Sequence, residues 1–336
     1  MVIEQPTKPS TGPVVGTPKN RGIRVVVAKQ ILSAVVGAIG TILAASVVIF
    51  VGLSFAPGDP VAQLLGGRST DEARAAKRAE LGLDDPVYQR YWDWLTSALH
   101  GDFGTSLTYR SDVTSLLGAR IGTTLLLVVM AAVLVVVVGV GIGLLGGLNK
   151  RVRGLVAALI GLGIAVPSFV AASMLTGIFA VRLGWFPTFG SGQGLADSIW
   201  HLTLPSIALS IGFGAYVAQL SSAAVAEESE KEYVTTSRGR GVPMRYTVRA
   251  HVLRNAALPV LTASGLAVAG LVAGTVIVEQ AFAVDGIGAL LIQSVLSKDY
   301  TVVSAISLII VIVFVVTTAI IDLVQLMLDP RERSAG

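Results

Sequence analysis

Long apolar runs separated by short polar loops set the pattern of this chain. A helix needs roughly 20 apolar residues to cross about 30 Å of hydrocarbon. Stretches of that length occur at about 31–55, 123–148, 155–181, 199–225, 256–278 and 302–328. The pattern predicts an all-α polytopic bundle of six transmembrane helices. Pro167 falls near the middle of the third stretch and Pro205 in the first part of the fourth. A span tolerates proline where neighbouring helices satisfy the freed carbonyl, so both positions predict kinked helices packed in a bundle. Gly139, Gly143 and Gly147 recur every four residues, as do Gly270 and Gly274. That spacing lines small residues along one helix face and predicts close helix packing.

Two polar stretches between the spans carry organisation of their own. The segment 56–120 holds seven Arg/Lys and nine Asp/Glu, and it reads as a small folded subdomain. Ser69 with Glu72 fits a capping box that opens a helix through about Leu81. Pro86 opens a second helix, in which Tyr88, Tyr91, Trp92 and Leu95 fall at i, i+3, i+4 and i+7. Spacing alone reads that helix as amphipathic, resting on the bundle or at the lipid interface. A docking surface for an external partner is the alternative. The stretch 227–255 starts with acids, continues with bases, and is broken at Gly239, Gly241 and Pro243. Acids first and bases last suit a helix dipole. A short helix, a turn and a second short helix leading to Leu258-Pro259 are expected. A merely basic loop would explain the arginines but not this order.

Composition sharpens the membrane reading. Of 336 residues 53% are hydrophobic and 14% charged, with a mean hydropathy of +0.75, whereas soluble domains carry about 25% charged residues. Too few charges remain to cover a water-soluble globule. Cysteine is absent, and His100, His201 and His251 are far apart, which leaves no disulfide framework, thiol chemistry or His-rich metal centre to expect. The net charge of +4 reads as loop charge rather than a nucleic-acid footprint. Lys8, Lys19, Arg21, Arg24 and Lys29 precede the first span; Lys150, Arg151 and Arg153 follow the second; six more, from Lys231 to Arg254, follow the fourth. The short loops on the other side carry only Arg182 and Lys298. By the positive-inside rule both termini are cytoplasmic and the segment 56–120 lies outside. The expected order is a disordered cytoplasmic tail (1–28), a first helix (29–55) retained as an anchor, and the extracytoplasmic subdomain (56–120). A core (121–328) containing the loop 227–255 and a cytoplasmic C-terminus (329–336) follow.

Within that loop, Glu232-Tyr233-Val234-Thr235-Thr236-Ser237-Arg238-Gly239-Arg240-Gly241 resembles the EAA loop of permease subunits of ATP-binding-cassette importers. It is most similar to the dipeptide/oligopeptide class, and Arg254-Asn255-Ala256-Ala257-Leu258-Pro259 fits the second half of that pattern. Ser237 and Gly239 depart from it, standing where the family usually has Ala. The same class has counterparts of Pro57-Gly58-Asp59-Pro60, of Leu81-Gly82-Leu83-Asp84-Asp85-Pro86 followed by Tyr91 and Trp94, and of Gly101-Asp102-Phe103-Gly104-Thr105-Ser106. Glu279-Gln280-Ala281-Phe282, Gly286-Ile287-Gly288 and Asp299-Tyr300 resemble its loop before the last span. The resemblance runs from about Lys29 to Arg331, and the long outer segment is like that of the first of two permeases. It implies a type I importer permease fold in the bacterial cytoplasmic (inner) membrane. It also implies coupling to ATPases through Glu232, Tyr233, Thr236, Arg238, Gly239, Gly241, Pro243, Leu258 and Pro259. The implied partners are a second homologous permease, two ATPase subunits that bind ATP and Mg, an extracytoplasmic binding protein and membrane lipid, with no nucleic acid. The implied cargo is di- or oligopeptide, with nickel chelates, glutathione or oligosaccharides as alternatives.

Other motifs point nowhere else. Gly141-Ile142-Gly143-Leu144-Leu145-Gly146 matches G-x-G-x-x-G but lies inside a span with no βαβ unit. No G-x-x-x-x-G-K-[ST] occurs, and Gly66-Gly67-Arg68-Ser69-Thr70 lacks its lysine and spacing. Any ATP-driven work therefore needs a partner, and no cofactor or catalytic residue is expected in this chain. A stand-alone channel or carrier is the rival of another class. It would be expected to bury acids or His along its path, and only His201 and Asp322, near helix ends, come close. An intramembrane enzyme would need a base beside Ser168, Ser173, Ser206 or Ser210, and the sequence shows none.

Overall fold

The computed structural model describes residues 20–56, 61, 65, 69–80 and 82–328. Helices dominate the described residues. The first, α1 (Asn20–Ser54), starts earlier than the span expected at 29–55. Two short helices follow, α2 (Asp71–Glu80) and α3 (Val87–Leu99). The bundle continues with α4 (Val113–Leu148), the pair α5 (Arg153–Ala165) and α6 (Ser168–Arg182), and α7 (Leu195–Glu230). Then come α8 (Glu232–Gly239), α9 (Met244–Ala281), α10 (Ile287–Leu296) and α11 (Tyr300–Leu328).

Five of these helices are long and apolar enough to cross a membrane, and six spans result if the α5–α6 pair counts as one. The third expected span is thus broken rather than kinked: its halves meet at 99°. Pro167 explains the break. It has no amide to donate, and its ring pushes the preceding residue out of the α region; Val166 sits at φ −83°, ψ 115°. Pro205 and Pro259 behave differently and lie inside continuous helices.

The centre of the bundle is α7. Leu202, Leu209 and Val217 on it pack with Leu127, Ala131 and Val135 of α4 and with Leu271 and Val278 of α9. The glycine spacing shows its use here. A Cβ on Gly139 would stand 2.7 Å from the Gly214 carbonyl, and one on Gly143 would stand 2.5 Å from Ser221 Cβ. Gly147 meets Val225 in the same way. The backbones of α4 and α7 approach closely because these side chains are missing. Gly270 and Gly274 work otherwise: they leave room for the Phe213 ring. Gly143→Ala is expected to lower the unfolding temperature in detergent, whereas Gly141→Ala, with nothing within 4 Å of its Cβ, should leave it unchanged. Equal melting of the two variants would contradict this packing.

The outer segment is folded against α1 and α11. Thr70, not Ser69, caps α2, since its hydroxyl accepts the Ala73 amide at 3.3 Å. The Ser69 hydroxyl accepts Arg74 Nε instead. In α3 the inward stripe is Tyr91, Trp94 and Leu95, while Tyr88 and Trp92 are 71% and 61% exposed. Phe50 of α1 decides this register. Tyr91 and Trp94 pack on its ring at 5.6 and 5.5 Å, and Tyr91 hydrogen-bonds Ser46 at 2.9 Å.

Candidate functional site

Two constructions stand at opposite ends of the bundle: a helical turn between α7 and α9, and a buried clasp around the α9–α10 and α10–α11 turns. At the first end, Arg153 donates to the last carbonyls of α4, Gly146 and Gly147, at 3.3 and 3.2 Å. Lys231 leaves the helical line at φ −67°, ψ 152°, and α8 starts with Glu232 in its first turn and ends with Arg238 in its last. Gly241 closes it at φ +76°. The Gly241 amide donates to the Arg238 carbonyl at 3.0 Å and the Val242 amide to the Ser237 carbonyl at 3.1 Å. This pair of bonds is a Schellman C-cap, which needs a left-handed residue where glycine stands. Gly239 is the last helical residue rather than a break. Pro243 then precedes α9 at φ −57°.

The turn is held firmly from below. Val234 is buried with Val225, Val252 and Ala256. The Ser237 and Thr247 hydroxyls bond across the turn at 2.7 Å, and the His251 ring lies between those of Tyr233 and Tyr246. Glu228 gathers three donors: Lys231 Nζ, the Tyr233 hydroxyl at 2.9 Å and Asn255 Nδ2 at 3.3 Å. Burial, with the bond to Glu228, holds the Tyr233 hydroxyl above the ordinary tyrosine range. Glu232, Thr236, Arg238, Gly239, Gly241 and Pro243 are exposed. A shallow depression of about 480 Å³ lies between Glu232, Thr236, Arg240 and Val242. The second short helix expected before Leu258-Pro259 is the start of α9 itself, so those two residues lie within the long helix and not in the turn.

At the other end, Asp299 is fully buried and caps α11, its Oδ1 accepting the Val302 amide at 3.4 Å. Its Oδ2 accepts the Ser106 hydroxyl at 2.6 Å and the Thr108 amide at 3.0 Å. Tyr109 donates to Gln293 at 2.9 Å, and Arg120 pairs with Asp285 at 2.7 Å. The Gly101–Ser106 motif and the Asp299-Tyr300 motif, far apart in sequence, are therefore one structure. Gly101 and Gly104 turn at φ +80° and +79°, and Asp102 accepts the Gly104 amide at 2.8 Å. Gly82 turns at φ +61° after α2, and Asp84 pairs with Arg78 at 3.1 Å. Pro57, Gly58, Asp59 and Pro60 lie outside the described residues.

Glu279 is the second centre of this clasp. It belongs to the last turn of α9 and is wholly buried. Its carboxyl group accepts the Thr124 hydroxyl at 2.7 Å and the Ala289 amide at 3.0 Å. Thr124 in turn accepts the Ile287 amide at 2.9 Å. The carboxyl thus lies at the N-terminus of α10, whose free amides favour an acceptor. Gly286 and Gly288 leave the space it occupies. Phe282, also buried, accepts the Gly190 amide at 3.1 Å.

Residues 139–334 match a family described as "Binding-protein-dependent transport system inner membrane component", and residues 27–128 match its N-terminal companion. The chain belongs to this family. It is 33% identical over 305 residues to the glutathione transport system permease protein GsiC of Salmonella typhimurium strain LT2, covering 90% of this chain and 98% of that protein. GsiC of Escherichia coli K12 is 32% identical over the same shares. A solved structure of the MetNI methionine ABC transporter in inward-facing conformations shares the fold with a TM-score of 0.54, at 18% identity, over 64% of this chain and 96% of that one. The expected all-α importer-permease architecture therefore holds.

In this permease, sequence reasoning marked Glu279 and Asp299 but missed Thr124 and Ser106 as their partners, and Glu228 as the hub under the turn. It also overlooked Glu279 as an ionisable group at the end of a span. His201 bonds locally to Asp197, at 3.0 Å to its carbonyl. Ser173, Ser206 and Ser210 donate to carbonyls of their own helices.

Proposed function

We propose that this permease is one half of the membrane pathway of an ATP-driven importer for peptide-like cargo. Both termini and the Glu232–Gly241 turn would face the cytoplasm, and the clasp would face the binding protein. A second, homologous permease would complete the pathway. Two ATPase subunits, binding ATP and Mg, would each grip one turn, and their closure would tilt the spans between outward and inward access. The observation that carries this reading is the turn itself. It is a capped helix whose exposed edge rests on a packed cluster, so a push on it is passed to α7 and α9 rather than absorbed.

Near-full-length similarity to permeases named for glutathione transport supports a peptide-like cargo. Glutathione is itself a tripeptide, so short peptides and glutathione share one chemistry. Nickel chelates and oligosaccharides are the competing cargoes within the family.

The test is uptake by proteoliposomes holding the permease with its partner subunits and binding protein. Labelled tripeptide or glutathione should enter only with ATP and the binding protein. Uptake without ATP would instead support a stand-alone carrier. Arg74→Cys and Arg240→Cys, in a chain free of cysteine, should react with an impermeant thiol reagent from opposite faces of intact cells. Equal labelling from outside would overturn the orientation.

A further inference from the structure

We propose that the hollow beside the Val166–Pro167 break forms the wall of the solute pathway, and that Ser168, Tyr216 and Gln219 are the groups that hydrogen-bond cargo as it passes. This rests on the importer reading and adds to it the residues and the mode of recognition. The hollow has a volume of about 570 Å³ and lies between the broken pair, the middle of α7 and α9, with Val166, Phe213 and Leu266 among its apolar walls. At 1.5 Å per residue, Tyr216 lies roughly 14 Å and Gln219 roughly 9 Å inside the 225 end of the expected 199–225 span, so both stand within a 30 Å hydrocarbon layer. Non-helical backbone at membrane depth is tolerated only where it is packed in protein or lines a water-filled cavity. The break at Val166–Pro167 is such a place.

Polar side chains distinguish this hollow from two others. One, of about 360 Å³, is lined by Ser210, which donates to the Ile207 carbonyl. Another, of about 600 Å³, is lined by Ser264 and Thr317, which donate to the Val260 and Val313 carbonyls. These hydroxyls are satisfied within their own helices, so both surfaces suit lipid or a neighbouring helix. Around the third hollow the Ser168 hydroxyl, the Tyr216 hydroxyl and the Gln219 amide have no hydrogen-bond partner among the described residues. Ser168 cannot bond back along its helix because it opens it. Leaving three such groups against hydrocarbon would cost several kcal/mol; facing water and a polar solute removes that cost. No charged side chain lines the hollow. The wall offers neutral donors and acceptors, which suit amide-bearing solutes and do not sort them by charge.

The test uses the assembled importer in membrane vesicles, with single substitutions Ser168→Cys and Gln219→Cys. A charged, impermeant methanethiosulfonate should modify both roughly tenfold faster than Leu43→Cys and Val129→Cys, controls at exposed apolar positions of α1 and α4, because a thiol in apolar surroundings ionises poorly. Total thiol after denaturation normalises each rate. Rates equal to the controls would mean that lipid or a partner helix fills the hollow, and would overturn the proposal. In a second arm, Gln219→Glu should lower uptake of an acidic tripeptide roughly fivefold more than that of a neutral one, with Gln219→Lys reversing the preference. Equal effects on both probes would also overturn it. Failure of ATP-driven uptake by the unaltered complex would sink the importer reading separately, since thiol modification does not depend on ATP hydrolysis.

Discussion

Gly241→Asp is expected to abolish cargo-stimulated ATP hydrolysis and uptake by the assembled importer, while the permease still inserts and folds. The fold survives because Gly241 is exposed and nothing lies within 4 Å of its Cβ position. Its φ of +76° makes a Cβ unfavourable by about 1–2 kcal/mol for most residues, and less for Asp and Asn. On the proposed importer reading, the damage would come from the contact with the ATPase. A carboxylate there would be desolvated without a partner in the groove, or would draw the neighbouring Arg238 and Arg240 away from theirs. Gly241→Asn separates the two causes: it tolerates the backbone and adds no charge, so it should keep much of the activity. Hydrolysis by the reconstituted complex, with binding protein and peptide, reads the result. Full stimulation in Gly241→Asp would mean that this turn is not where ATP closure enters the membrane domain.

Glu279→Ala is expected to cost the permease much of its stability. It would leave the Thr124 hydroxyl and the Ala289 amide without their acceptor in a wholly buried place, and each unpaired donor costs about 1–3 kcal/mol. An empty space would remain where Gly286 and Gly288 make room for the carboxyl group. Glu279→Gln keeps one acceptor oxygen and should fall between the two. Gly288→Ala tests the same clasp from the other side, since its Cβ would stand 2.6 Å from Val276 Cα, a backbone atom that cannot swing aside. Thermal unfolding in detergent, followed by tryptophan fluorescence, measures all three. An unchanged midpoint in Glu279→Ala would mean that α10 is held by its apolar packing alone.

The spans were legible because the membrane imposes a length and an apolar character that no other constraint imitates. The turn at Glu232–Gly241 was legible for a similar reason: acids, bases, glycine and proline act locally, and helix ends need them within a few residues. Local rules failed where two of them competed. Ser69 and Thr70 can each cap α2; Thr70 does so, and the Ser69 hydroxyl accepts Arg74. Either aromatic stripe of α3 satisfies a helical period, and Phe50 on another helix selects Tyr91 and Trp94 over Tyr88 and Trp92. Pro167 and Pro205 look alike in sequence, yet one breaks its span by 99° and the other lies within a continuous helix.

What remained for the tertiary structure was every partnership across the bundle. The sequence by itself determined the apolar spans, the capped turn and the family. It marked Glu279 and Asp299 only as members of motifs. That Asp299 holds Ser106, 193 residues away, and that Glu279 holds Thr124, 155 residues away, depends on which helix faces lie together. Backbone periodicity carries information over one or two turns. A buried polar group instead takes its partner from whatever the packed bundle brings within 3 Å, and that is settled only when all the helices are in place.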